Sequence, residues 1–209
     1  MPLSPACPAA PANPGILTPG NEFTVAELYA MALDGVVANV FGQAFRAVAE
    51  PESAALRAAA LAHQIPPALA NRAALARLSA AWVYGCAPPP RLISLAISSA
   101  HRSTALPPWS GCELHEVRLD SCDVLRLGGA LLTTAVRTAV DVAIHEPPET
   151  ARAVLLAMAV RTELHCPLGR VLTALANTVH IPGKRQAQQL LEDLLHPGAP
   201  GGVAAGVYE

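Results

Sequence analysis

Twenty prolines in 209 residues decide where this chain can be helical. Proline lacks a backbone N–H and clashes with the preceding turn, so it is tolerated at a helix start and not in a helix interior. Pro51, Pro66-Pro67, Pro88-Pro89-Pro90, Pro147-Pro148, Pro167 and Pro182 therefore mark boundaries. Pro2, Pro5, Pro8, Pro11, Pro14 and Pro19 break the first 20 residues. That stretch is Pro/Ala-rich and carries no positive charge, so it reads as a disordered leader over 1–21 rather than as a signal or transit peptide.

Between these marks the pattern changes from segment to segment. Thr24 caps a helix reaching about Leu33, with Glu27 three residues on, as in a capping box. Asp34-Gly35 ends it, and 36–40 and 44–48 alternate around Gly42 as a hairpin. Helices are expected over 51–64 and 68–84, the second ending at Gly85. After the proline connector, 91–99 and 113–119 read as strands, and 124–133 as a hairpin turning at Gly128-Gly129. Further helices are expected at 134–145, 149–163, 167–179 and 183–195, followed by a Gly-rich flexible tail over 197–209. The fold class is α+β: a helix–hairpin segment over 22–50, then an α/β domain over 51–196 with a small mixed or antiparallel sheet and a C-terminal helical bundle.

Hydrophobic residues make up 52% of the chain and charged residues 14%. A core is therefore available, and much of the surface must be uncharged, which favours a patch that a partner covers. No run approaches the roughly 20 apolar residues of a membrane span, and a cytoplasmic location is expected. The five cysteines are irregularly spaced and read as reduced thiols. The first 60 residues hold only Arg46 and Arg57 against five acidic groups. A nucleic-acid binder needs the opposite balance.

Candidate chemical groups are few. Cys112 and His115 are three apart, with Cys122 further on. On a strand that spacing places the first two side chains on opposite faces, so they cannot share an ion. His165-Cys166 is an adjacent pair and no better. Ser98, Ser99 and His101 lie close together but lack a Gly-x-Ser-x-Gly elbow. Gly128-Gly129 is not a phosphate loop. No catalytic, metal or cofactor residue is assigned, and the chain reads as a non-enzyme. A cleft gathering His101, His115 or His145 with a carboxylate would reverse that reading. Arg137 and Asp141, four apart on one helix, form the most pointed pair; an ion pair pinning the helix to a neighbouring loop or the sheet is preferred over a ligand site.

Three stretches together resemble the AbiEi family of type IV antitoxins in its actinobacterial form. Phe23-Thr24-Val25-Ala26-Glu27-Leu28, with the hairpin to Val48, is similar to that family's winged-helix segment. Leu78 to Gly85, containing Ser79, Trp82 and Gly85, is similar to its "S-A-A-W-x-x-G" helix end. Leu131 to Asp141 is similar to its hairpin followed by "T-x-x-x-R-T-x-x-D", with Thr134, Arg137 and Asp141 in the matching positions. The resemblance implies an N-terminal winged helix that represses an operon, and a C-terminal domain that neutralises a nucleotidyltransferase toxin. Thr24, Asn39, Gln43 and Arg46 would then be the residues placed to meet duplex DNA. A complete winged helix has about two helices before its recognition helix. Only the leader precedes Phe23, so the segment is expected to be partial and any DNA binding weak. Two alternatives remain: a stand-alone adaptor or DNA-binding regulator without a toxin, and a relative of the very-short-patch-repair-like endonucleases lacking the nuclease domain. Those nucleases need an acidic residue two before a lysine, and the only lysine, Lys184, has Pro182 there.

Overall fold

A computed structural model describes residues 15–20, 22–99, 106–178 and 181–196. The chain is α+β, as expected, with two sheets. Strand β1 (Ile16–Leu17), helix α1 (Val25–Leu33), and strands β2 (Val37–Phe41) and β3 (Ala44–Ala47) come first. β1, β3 and β2 form an antiparallel three-stranded sheet in that order. Ile16 and Leu17 thus depart from the disordered leader expected over 1–21. Ile16 is buried, and burial of one apolar side chain together with backbone pairing holds even a two-residue strand in place. Residues 1–14 lie outside the described residues.

Helix α2 (Ala54–Ala62) starts at Ser53, whose hydroxyl accepts from the Leu56 N–H at 3.2 Å. α2 packs against all three strands of the first sheet and against the second sheet. Val40, Ala44 and Ile16 belong to the same buried cluster as α2. Leu28, Val37 and Phe45 form a small cluster of their own.

The helix expected over 68–84 is corrected. Strand β4 (Ala73–Leu75) replaces its first half, and helix α3 (Arg77–Val83) is what remains. β4 is the central strand of the second sheet, whose order is β6-β5-β4-β8-β7. It pairs antiparallel with β5 (Ile93–Ser98) and parallel with β8 (Ala130–Thr133). Ala73, Ala74 and Leu75 are almost wholly buried. Alanine favours helix by a few tenths of a kcal/mol per residue, roughly; pairing on both edges and complete burial outweigh that preference. Arg77, at φ +49°, makes the sharp change from strand to helix. β6 (Cys112–Val117) runs parallel to β5, and β7 (Val124–Leu127) is antiparallel to β8, so the sheet is mixed. The β7–β8 turn lies against α2: a side chain added at Gly128 (φ +54°) would meet the Ala55 carbonyl oxygen.

Helices α4 (Ala135–His145), α5 (Pro148–Val160), α6 (Leu168–Asn177) and α7 (Lys184–Leu195) follow. α4 packs against α3, α5, α6 and α7 and so forms the centre of the bundle. No helix among the described residues is long and apolar enough to cross a membrane.

Ala74→Leu distinguishes a central strand from a helix. It should overpack the sheet and cost about 1–3 kcal/mol in urea unfolding. In a helix with a solvent face the same change would be close to neutral.

Candidate functional site

The parallel strands β4 and β8 end side by side, and each leads into a helix. Their junction is joined by buried hydroxyls. The Thr133 hydroxyl donates to the Leu75 carbonyl at 3.2 Å, and Thr133 Oγ1 lies 2.7 Å from Thr138 Oγ1. The Tyr84 hydroxyl donates to the Thr133 carbonyl at 2.7 Å. Burial, with the Cys166 thiol as a lesser cause, pushes the Tyr84 phenol up, so it remains a donor at any ordinary pH. Ser79 is fully buried, and its hydroxyl accepts from the Ser94 N–H at 2.9 Å. Of these groups only Ser79 stands out in the sequence. A Thr-Thr pair closing an apolar strand and leading into a helix is the signal that could have marked Thr133.

The other motif residues complete this framework. Trp82 is buried, with its ring 5.4 Å from that of Phe41. Gly85 follows the α3 cap at φ +74°. Its N–H donates to Trp82 O and the Cys86 N–H to Ala81 O, both at 2.8 Å. That is the double hydrogen bond of a Schellman ending, which favours glycine at this conformation. Thr134 is the N-cap residue of α4 but makes no side-chain cap bond; its N–H donates to the Asp123 carbonyl at 2.8 Å.

Arg137 gathers a loop onto α4. Its Nε donates to both Asp141 oxygens at 3.0 Å. Its Nη1 donates to the Arg118 carbonyl and to Asp123 Oδ2, each at 2.9 Å. Asp123 also accepts from the Asp120 N–H at 3.1 Å. Burial raises the Asp141 pKa, and the Arg137 charge and hydrogen bonds only partly offset this. Ionising this carboxyl therefore carries a desolvation cost that its partner offsets only in part.

A second polar group lies on β5 and β6. Glu113 accepts from the Ser94 hydroxyl and stands 3.3 Å from His115 Nε2. Burial pushes Glu113 up, but the Ser94 and His115 contacts and the Arg77 charge bring it below the usual carboxylate range. His145, at the end of α4, is pushed down by partial burial and then by the Arg77, His115 and Arg137 charges. His115 does meet a carboxylate, and His145 lies near enough to feel its charge. A shallow pocket of about 250 Å3 lies elsewhere, between Arg72, Ser98 and Asp120. His101 lies outside the described residues.

Cys112 and His115 separate as their strand spacing requires. Cys112 Sγ contacts the Gln64 carbonyl at 3.9 Å, whereas His115 faces Glu113. Among the described residues, no group of three His, Cys, Asp or Glu side chains could hold a metal ion. Cys86 and Cys166 are buried, which raises both thiols, Cys166 to about 11. Lys184 donates to the Ala176 and Thr178 carbonyls at 2.9 and 2.7 Å, closing the end of α6.

The residues placed to meet DNA are largely occupied within the first sheet and α1. Thr24 and Glu27 form the expected capping box, with Thr24 N–H donating to Glu27 at 2.7 Å and Glu27 N–H to Thr24 at 3.2 Å. Asn39 Nδ2 donates across the hairpin turn to Gly42 O at 2.8 Å. Arg46 Nη1 donates to the carbonyls of Ala47, Val48 and Glu50 at 3.1, 3.3 and 2.5 Å. Gln43 is exposed at the turn.

No protein-family model matches the chain, and no curated protein sequence matches it.

Arg137→Ala should destabilise the protein by roughly 3–5 kcal/mol at neutral pH, because it leaves the Asp141 carboxylate buried and unpaired. Asp141 already has a raised folded pKa, so its ionised form opposes folding above that pKa. Acidification protonates it and removes the penalty. The loss measured by urea unfolding should therefore shrink as the pH falls toward about 4; a loss that grows on acidification would contradict this role. In native protein at pH 8, a thiol reagent should label exposed Cys122 and leave Cys86 and Cys166 unlabelled until the chain unfolds, as read by peptide mass spectrometry.

Proposed function

We propose that the chain is a non-enzymatic, antitoxin-type binding protein that neutralises a nucleotidyltransferase toxin in the cytoplasm. The supporting observation is that the three stretches resembling the AbiEi family meet in one packed framework. The first and second touch through Phe41 and Trp82 at 5.4 Å. The second and third are tied by the Tyr84–Thr133 hydrogen bond at 2.7 Å. Residues far apart in sequence that carry one resemblance and also share one core are what a common scaffold requires. In this reading Ser79, Trp82, Gly85, Thr134, Arg137 and Asp141 build that scaffold and the partner binds its surface.

Repression of an operon through the helix–hairpin segment is the less favoured part. Arg46 is the one cation of that segment, and it is bonded to three carbonyls of its own chain. Affinity for duplex DNA depends on cations neutralising phosphates, so binding weaker than micromolar is expected at physiological salt. A stand-alone adaptor would use the same scaffold and differ only in its partner.

The test begins with the adjacent gene: if it encodes a nucleotidyltransferase, the two are co-expressed in cells that the enzyme arrests, and if it does not, the adaptor reading is favoured. Restored growth, with the two proteins eluting together, is the expected outcome. Continued arrest at matched expression would overturn the antitoxin reading. A gel-shift experiment with upstream DNA covers the second part: a sub-micromolar Kd would restore repression.

A further inference from the structure

Helix α1 has the composition of a buried helix and the position of a surface one. Its nine residues, Val-Ala-Glu-Leu-Tyr-Ala-Met-Ala-Leu, include one charge, Glu27, and only Leu28 is fully buried. A helix that is apolar all round is normally covered on all sides. Val25, Tyr29 and Leu33 recur every four residues and so form one stripe. They are 39%, 49% and 90% exposed. Val36 and Val48 are also exposed and adjoin each other, the Val48 N–H donating to the Val36 carbonyl at 3.0 Å. The stripe is held firmly: the capping box fixes its start, and Tyr29 packs edge-on against Phe45 at 5.3 Å. Monomeric proteins rarely leave a contiguous apolar patch of this kind without a binding role.

The charges nearest the two ends of the stripe are acidic, Glu22 before its start and Asp34 beside Leu33 at its end, while Glu27 lies on the other side of the helix. Glu22, Glu27 and Asp34 are exposed on and beside α1, and the sequence has no Lys or Arg before Arg46. Duplex DNA would be repelled. In a two-fold dimer the same patch faces itself, so a second copy would bring acidic groups together beside the apolar contact. We infer that the α1 stripe is the docking face for a different protein, whose contact patch is apolar and rimmed by Arg and Lys. The inference holds whether or not that protein is a toxin.

The full-length chain can be titrated with two labelled 18-residue amphipathic helical peptides, one of Leu and Arg and one of Leu and Glu, read by fluorescence anisotropy. The Leu/Arg peptide should bind and the Leu/Glu peptide should not. Leu33→Glu should weaken binding by roughly tenfold or more, since a buried leucine contributes on that scale. It does so although it adds a negative charge. If Leu33→Glu binds the basic peptide equally or more tightly, the attraction is charge alone and the docking face is wrong. Equal binding of the acidic peptide overturns it too. So does a wild-type dimer in analytical ultracentrifugation that Leu33→Glu converts to monomer, because the occupant is then a second copy. Val25→Glu serves as a second variant, and unchanged thermal unfolding shows that either variant is folded. Growth rescue by wild type that survives Leu33→Glu would leave the antitoxin reading standing and remove this face from it.

Discussion

The seam between β4 and β8 holds the two halves of the fold together. The two strands run parallel inside the sheet, and both give way to helices that pack side by side. At their ends, buried side-chain hydroxyls bond the last strand carbonyls. An unpaired buried carbonyl costs roughly 1–3 kcal/mol. The Thr133 hydroxyl takes the Leu75 carbonyl, and the Tyr84 hydroxyl takes the Thr133 carbonyl. These bonds satisfy both carbonyls where the sheet gives way to the bundle, and the Thr133 carbonyl also accepts from the Thr138 hydroxyl at 3.2 Å. Arg137 acts one turn further on, where it holds the 118–123 loop to α4.

This arrangement explains why the most pointed sequence motif is structural. Arg137 has its guanidinium divided among Asp141, Asp123 and a carbonyl, so little of it is left for a ligand. Its partner Asp141 is buried and costly to ionise. Such a pair gives little net stability compared with an apolar replacement, but breaking it is expensive. It fixes one geometry for the loop against the helix.

Much of the fold was legible in the sequence because prolines and glycines mark its boundaries. The β7–β8 hairpin at Gly128-Gly129 and the four C-terminal helices fall close to where those residues place them. β4 was not legible. Ala73-Ala74-Leu75 is a good helical sequence, and only its neighbours β5 and β8, 15 or more residues away, make it a strand. The pairing of Ile16 with Arg46 across the first sheet was hidden for the same reason. Of the candidate site, the Arg137–Asp141 pair could be read from its spacing; Asp123 and Thr133 could not, because their roles depend on tertiary approach. The α1 stripe itself was not legible; only the shortage of cations in the first 60 residues argued against DNA. The exposure of the stripe needed the structure.

The central claim is that α1 faces a protein and not DNA. A photo-reactive amino acid placed at Leu33 in the native cell tests it most directly, with a second placed at Gln43 on the hairpin turn. The expected result is one defined protein adduct at Leu33, carrying Arg and Lys around the cross-linked site, and no nucleic-acid adduct at Gln43. A DNA adduct at Gln43 with none at Leu33 would contradict it.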